Sequence, residues 1–194
     1  MTQEEVNSIV ERYNNYLINE GINQADFEIS DDLVKLVFFK YIYPSTKLMH
    51  IKRNRGYFKA IATQLNYTRL SLLRVKYYRN GNKAAGIKEG YVYIASNKAW
   101  PDKYKIGSTI SVKDRLTVYQ SYSPNRDYIF DTYYFSHDRR RDEHDFHKSL
   151  SADHEWIQIE YANGRSSKKA VIDLFKLKRE KDLKSLMDNL GTFG

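Results

Sequence analysis

The chain has no cysteine, which excludes disulfides and thiolate chemistry and fits a reducing, cytoplasmic setting. It has no cationic start followed by an apolar run, so no secretory leader is expected. Its apolar stretches are too interrupted to cross a bilayer, so no membrane partner is expected either. The largest absence is of acid. From Lys35 to Gly86 there is no Asp or Glu, while twelve Lys or Arg fall there. Residues 1 to 34 are the reverse, with eight acidic side chains and one basic, Arg12. The net charge of +8 is therefore concentrated in one segment. Clustered cations with interleaved tyrosines suit a phosphate-rich partner, because each neutralised phosphate releases condensed counterions. Double-stranded DNA is the expected partner. A contact with RNA or with an acidic protein, without chemistry, is the plainer alternative.

What is present suits a folded protein. Of the 194 residues, 41% are apolar and 14% aromatic, too rich for disorder. The length allows one ample core or two small domains. Thr2 to Glu5 reads as a capping box, and Val6, Ile9, Val10, Tyr13 and Leu17 follow at helical spacing until Gly21. A second helix is expected after Ser30, through "LVKLVFFKYIY" to Pro44.

In "FKAIATQLNYTRLSLLRVKYYRN" a small residue, Ala62, precedes Asn66 by four, with apolar residues at 61, 65, 67, 72 and 75. Two helices crossing through a tight turn need a small residue at the approach and a residue tolerant of positive φ at the turn. The spacing resembles the helix-turn-helix family over residues 57–79, with Asn66 where glycine is usual. The resemblance implies a recognition helix from about Thr68 to Arg79. Thr68, Arg69, Arg74, Tyr77 and Tyr78 would then face the groove or its flanking phosphates, and Lys52, Arg53, Arg55 and Lys59 would hold the backbone. "NGNKAAGIKEG" ends this helix and reads as a linker, giving a helical domain at 1–86 and a second domain at 87–194.

Past the linker the apolar period changes from helical to alternating. "YVYIAS" and "YKIGST" read as a hairpin, and "YIFDTYYF" at 128–135 as a third strand. Between them Ser111 to Asp114 opens a helix that carries Arg115 and reaches about Gln120. The expected class is α+β: an all-α domain, then a small domain with a three-stranded antiparallel sheet flanked by helices. The final "SSKKAVIDLFKLKREKDLKSLMDNL" reads as amphipathic helix used for packing or subunit contact.

"GYVYIASN", "YKIGST", Arg115 eight residues after Gly107, and a later helix bearing Glu143 together resemble the GIY-YIG nuclease domain over about residues 88–160. "DEHDFHKSL" followed by "HEW" resembles its phage and bacterial branch. The resemblance implies a single divalent cation, Mg²⁺ or Mn²⁺, held by Glu143 and water. It also implies catalytic roles for Tyr93, Lys105 and Arg115, with Gly107 as the motif glycine. Lys105 stands where tyrosine is usual, and Ser108 where some members have a histidine proton shuttle.

Phosphodiester cleavage needs an activated water, charge neutralisation at phosphorus and a stabilised leaving oxygen. Glu143 supplies a hard oxygen ligand, Arg115 a cationic fork, and Tyr93 a base or water-orienting group. A tyrosine with a reference pKa near 10 is a poor base unless cations depress it. His147, one turn after Glu143, is expected to touch phosphate or carry a proton, with His137 and His144 at the surface and Glu155 and Trp156 structural. Tyr104 and Tyr119 suit either the core or the wall of the site. Tyr93 and Lys105 are expected opposite each other on one face of the hairpin, with Val92, Ile94 and Ile106 on the other. The expected function is a metal-dependent DNA endonuclease of phage or mobile-element type. One site cuts one strand, so double-strand cleavage would require a homodimer or two nicks. The alternative is a non-catalytic DNA-binding regulator.

Overall fold

A computed structural model of the chain describes residues 2–100, 103–149, 156–158 and 166–188. The chain is of mixed α+β class and divides into two compact units. One comprises Met1–Ile87 with Leu183–Gly194, the other Lys88–Asp182. The residues from Leu183 onward thus group with the helical unit rather than with the second domain to which the sequence assigns them. Among the described residues no helix is long and apolar enough to cross a membrane.

The helical unit begins with α1 (Gln3–Asn19), whose capping box is complete: Thr2 Oγ1 accepts from the Glu5 amide at 3.3 Å and Glu5 Oε2 from the Thr2 amide at 2.7 Å. Its buried stripe of Val10, Tyr13 and Leu17 packs on α3. Ser30 caps α2 (Asp31–Val37) through its Oγ, and the chain then widens into a π-helical turn at Phe38–Ile42 and a 3₁₀ turn at Tyr43–Ser45. The single helix expected as far as Pro44 is therefore three short pieces.

The turn expected at Asn66 does not form. Arg55–Arg79 is one continuous helix, α3, capped by Asn54, whose Oδ1 accepts from the Tyr57 amide at 3.0 Å. The reason lies in the burial pattern. Tyr57, Ile61, Leu65, Thr68, Leu72 and Val75 are buried at spacings of three and four that pass Asn66 without a break, so a turn there would rotate half of the stripe out of the core. Asn in a helix interior costs only a few tenths of a kcal/mol beyond an ordinary residue. The helix-turn-helix resemblance over 57–79 is corrected accordingly.

With it go two of the expected DNA contacts. Thr68 is buried and donates its hydroxyl to the Gln64 carbonyl at 3.0 Å. Arg69 is 0% exposed and donates Nη2 to Asp31 Oδ1 at 2.6 Å. Arg74 and Tyr77 are half-buried, while Tyr78, Lys52, Arg53, Arg55 and Lys59 are exposed. Asp31 also accepts from Ser185 Oγ at 2.7 Å, and Lys35 Nζ donates to the Asp188 carbonyl at 2.8 Å. These bonds explain why the chain end groups with this unit.

The second unit holds an antiparallel sheet in the order β3-β1-β2-β4. β1 (Gly90–Asn97), β2 (Lys103–Thr109) and β3 (Tyr128–Ser136) are the three strands expected, and a short fourth, β4 (Trp156–Gln158), pairs with Lys103–Lys105 of β2. Glu155 lies outside the described residues. One face of the sheet carries α5 (Arg139–Ser149) and α6 (Ser166–Met187), closing a core of Val92, Ile94, Tyr104, Ile106, Tyr134, Phe146 and Phe175. Tyr104 is thereby a core residue. The other face is met by α4 (Val112–Tyr122), capped by Ser111.

The pairing of β1 with β3 contains a bulge. Ile94 lies opposite Thr132 but Ala95 lies opposite Phe130, so Asp131 has no partner position. Side chains alternate with period two, so this one extra residue transfers Phe130 and Tyr128 to the face that carries Tyr93 and Ala95.

The buried Arg69–Asp31 pair gives the first test. Asp31→Ala leaves a guanidinium in the interior without its carboxylate, and unfolding of the whole chain by urea should show a loss of about 3–5 kcal/mol. A loss below about 1 kcal/mol would mean that Arg69 reaches solvent in solution.

Candidate active site

Tyr93 lies on β1 directly opposite Gly107 of β2, and Lys105 lies opposite Ala95. The two expected partners are thus diagonal neighbours, offset by two residues, on one face of the sheet. Val92, Ile94 and Ile106 are on the other, in the core. The offset has a steric origin. A Cβ on Gly107 would collide with the Tyr93 hydroxyl and lie 2.7 Å from its Cζ, so the tyrosine ring crosses the strand at the one position that lacks a side chain. Gly107 is required by this close approach.

The bulge supplies the other side of the slot. Phe130, brought to this face, stacks on the Tyr93 ring at 4.3 Å with planes 12° apart. Tyr119 of α4 meets the Tyr93 hydroxyl at 2.6 Å, oxygen to oxygen, and Lys105 Nζ sits 5.3 Å from the Tyr119 ring centroid. Tyr119 therefore belongs to the site wall and not to the core.

Held this way, Tyr93 is 2% exposed. Burial is the main cause that pushes its phenol well above the usual tyrosine value. The Tyr119 hydrogen bond adds to the shift, and so does the charge of Glu143, against the opposing pull of Arg115. The cations around it do not depress it enough to make a base. Arg115 and Glu143 thus bear on this phenol with opposite sign.

Arg115 sits on the first turns of α4, exposed; among the described residues its guanidinium has no hydrogen-bond or ion-pair partner. Glu143, half-buried on α5, accepts a hydrogen bond from Ser108 Oγ on Oε2 at 2.5 Å. Ser108, which in the sequence marks only a departure from a histidine seen in some members of the resembled family, is the donor here. Consecutive strand residues point to opposite faces. Gly107 thus sits beneath Tyr93 while Ser108 holds the carboxylate that approaches from the α5 side. His147 follows Glu143 by one helical turn, with Nδ1 buried and without a hydrogen-bond partner among the described residues.

The described residues contain no group of three His, Asp or Glu side chains that could form a metal cage. They do offer one carboxylate, oriented by a serine. That donor set fits a hard cation such as Mg²⁺, which keeps several waters and takes substrate phosphate oxygens for its remaining positions.

Two tests follow. Gly107→Ala must displace the Tyr93 ring from between Phe130 and β2, and a stability loss of about 1–3 kcal/mol with altered aromatic circular dichroism is expected. An unchanged near-ultraviolet spectrum would mean that the ring does not cross Gly107. The second concerns alkaline pH. The phenols of Tyr93 and of Tyr134, the latter bonded to Asp142 at 2.8 Å, are both raised, chiefly by burial. The unfolded chain therefore releases these protons first, and stability should fall as pH rises past about 10. Denaturation at pH 8 and pH 11 measures the slope, which Tyr134→Phe should reduce.

Comparison with protein families bears on what this arrangement is. Residues 90–178, somewhat under half of the chain, match the model of the T5orf172 domain. This is a distinct domain family, and the match gives no support to GIY-YIG membership. The resemblance drawn from Tyr93, Gly107, Arg115 and Glu143 is corrected by it. Comparisons with curated proteins and with solved structures each found no match. From Gly90 to Lys178, what the chain is similar to is a T5orf172 domain.

Proposed function

We propose that the chain is a metal-dependent nuclease that hydrolyses phosphodiester bonds in DNA. The observation that carries this reading is the hydroxyl pair of the buried Tyr93 with Tyr119, in which Tyr93 feels the charge of Arg115 from α4 and of Glu143 from the α5 side. A cation without a partner among the described residues, a carboxylate oriented from the far side and a neutral phenol pair suit a phosphate better than they suit an apolar or neutral substrate.

In the reaction a water oxygen adds to phosphorus, one P–O ester bond breaks, and the leaving oxygen receives a proton. Arg115 neutralises charge on the non-bridging oxygens through its planar fork. Of the Tyr93–Tyr119 pair, one hydroxyl donates to the other and the second keeps its proton for a phosphate oxygen; Tyr93 stays protonated as part of this pair, and the proton of the attacking water goes elsewhere. Glu143 would hold Mg²⁺ or Mn²⁺, with Ser108 fixing the carboxylate's orientation. When bound, such an ion polarises the phosphate and acidifies water. His147 is assigned the proton transfer, since an imidazole nitrogen can take a proton and pass it on. Lys105, over the Tyr119 ring, adds positive potential beside the phenols.

DNA holding is assigned to the acid-free segment. Lys52, Arg53, Arg55 and Lys59 are exposed around the start of α3. A groove of about 520 Å³ beside them is lined by Lys47, Lys59, Thr63 and Gln64. Lysines on a groove of this kind hold backbone phosphates without reading sequence.

Supercoiled plasmid incubated with the protein and Mg²⁺ should be nicked, and chelation should stop it. Arg115→Ala should slow nicking by about 10²–10³-fold, and Glu143→Gln should abolish it, while both still retard the plasmid on a gel. A plasmid left intact by wild type but still retarded would leave a DNA-binding regulator and remove the enzyme.

A further inference from the structure

We infer that the Tyr93 face of the sheet carries a stacking shelf for an unpaired nucleobase, running outward from the Tyr93–Tyr119 pair to Trp100. The inference rests on the nuclease reading and deepens it, by naming a strand with at least one unstacked base as the form of nucleic acid that the site prefers.

The shelf is a chain of rings. Tyr119 meets Tyr128 at 5.2 Å between centroids, and Tyr128 meets Trp100 at 6.4 Å. Exposure rises along it, from a buried Tyr93 through the half-buried Tyr119 and Tyr128 to Trp100 at 46%. An indole left nearly half in water at the end of such a series is a surface that something apolar and flat can cover.

The stretch from Asn97 to Trp100 is held by hydrogen bonds. Asn97, 4% exposed, accepts from the Ala99 amide at 2.7 Å and donates to Asp127 at 2.8 Å, and Asp127 in turn accepts from Ser123 at 2.6 Å. The Trp100 amide donates to the Asn97 carbonyl at 3.0 Å. A large ring presented to solvent at the end of a turn held by the buried Asn97 side chain is positioned before any ligand arrives, which lowers the ordering cost at binding.

Charge selects the occupant. Lys105 lies over the Tyr119 ring, and Lys98 and Lys103 are exposed in the stretch that flanks Trp100. Rings interleaved with lysines suit a base joined to a phosphate, because every base has a π-face and every linkage an anion. A duplex has its base faces covered by one another, so only an unpaired base can use the shelf.

The test is metal-free binding in chelator, read by anisotropy of labelled DNA. One probe is a single-stranded oligothymidylate of about ten nucleotides, the second a blunt duplex of equal length, and the third an abasic strand with the same phosphates. Trp100→Ala should weaken oligothymidylate binding about tenfold, Trp100→Phe should restore most of it, and neither should move the duplex or the abasic strand. Equal weakening on all three probes, or none on oligothymidylate, overturns the shelf. A protein that holds and nicks duplex but shows no excess affinity for oligothymidylate over the abasic strand loses the shelf and keeps the nuclease. One that holds no probe loses both. Quenching of tryptophan emission by an apolar peptide, and by no nucleic acid, would assign the rings to a protein partner and likewise overturn it.

Discussion

The chemistry of the second unit depends on a single close approach, the Tyr93 ring lying across Gly107. With β2 beneath it and Phe130 above, the ring has no room to rotate, and its hydroxyl is delivered to one point. The position of Tyr119, which bonds that hydroxyl, and of Lys105, which lies over Tyr119, follows in turn. The same enclosure removes water from the phenol and so keeps its proton in place. Steric fit thereby sets acid–base character, and a tyrosine that could have served as a base is held neutral in a fixed hydroxyl pair.

The helical unit shows a different use of charge. Lys35 and Arg69 belong to the acid-free segment, yet both are buried and bonded to partners near the chain's other parts: Asp31 in α2 and the Asp188 carbonyl. Their charge serves the fold. The cations left at the surface cluster near the start of α3, so the electrostatic footprint is smaller and more localised than the sum over the segment suggests.

What was legible in the sequence was local. The capping residues Thr2, Ser30 and Ser111, the alternation of β1 and β2, and the separation of Val92, Ile94 and Ile106 from Tyr93 and Lys105 each depend on neighbours within a few residues. Asn66 misled because a small residue followed by a turn-tolerant one is compatible with a turn but does not require it; the unbroken stripe from Tyr57 to Val75 decides. Arg69 misled because its partner is 38 positions away. The register was displaced by two because an aromatic ring seeks the strand position without a side chain, which alternation alone does not encode. The role of Ser108 became visible only when α5 brought Glu143 to it. The motif spacing suggested one nuclease family, and the same stretch, residues 90–178, matches the model of a different domain family.

The bulge at Asp131 makes β3 a strand of two parities. Below it, Tyr128 and Phe130 belong to the face of Tyr93; above it, Tyr134 belongs to the face of Ile94. Two residues apart, Phe130 and Thr132 would share a face in a regular strand, and the bulge is what separates them. Removing Asp131 would make them neighbours, which plain alternation also sends to opposite faces, so both faces survive a deletion confined to the bulge. A deletion elsewhere, with the bulge kept, would turn the residues beyond it to the wrong side. The strand thus has one position at which a change in length is absorbed.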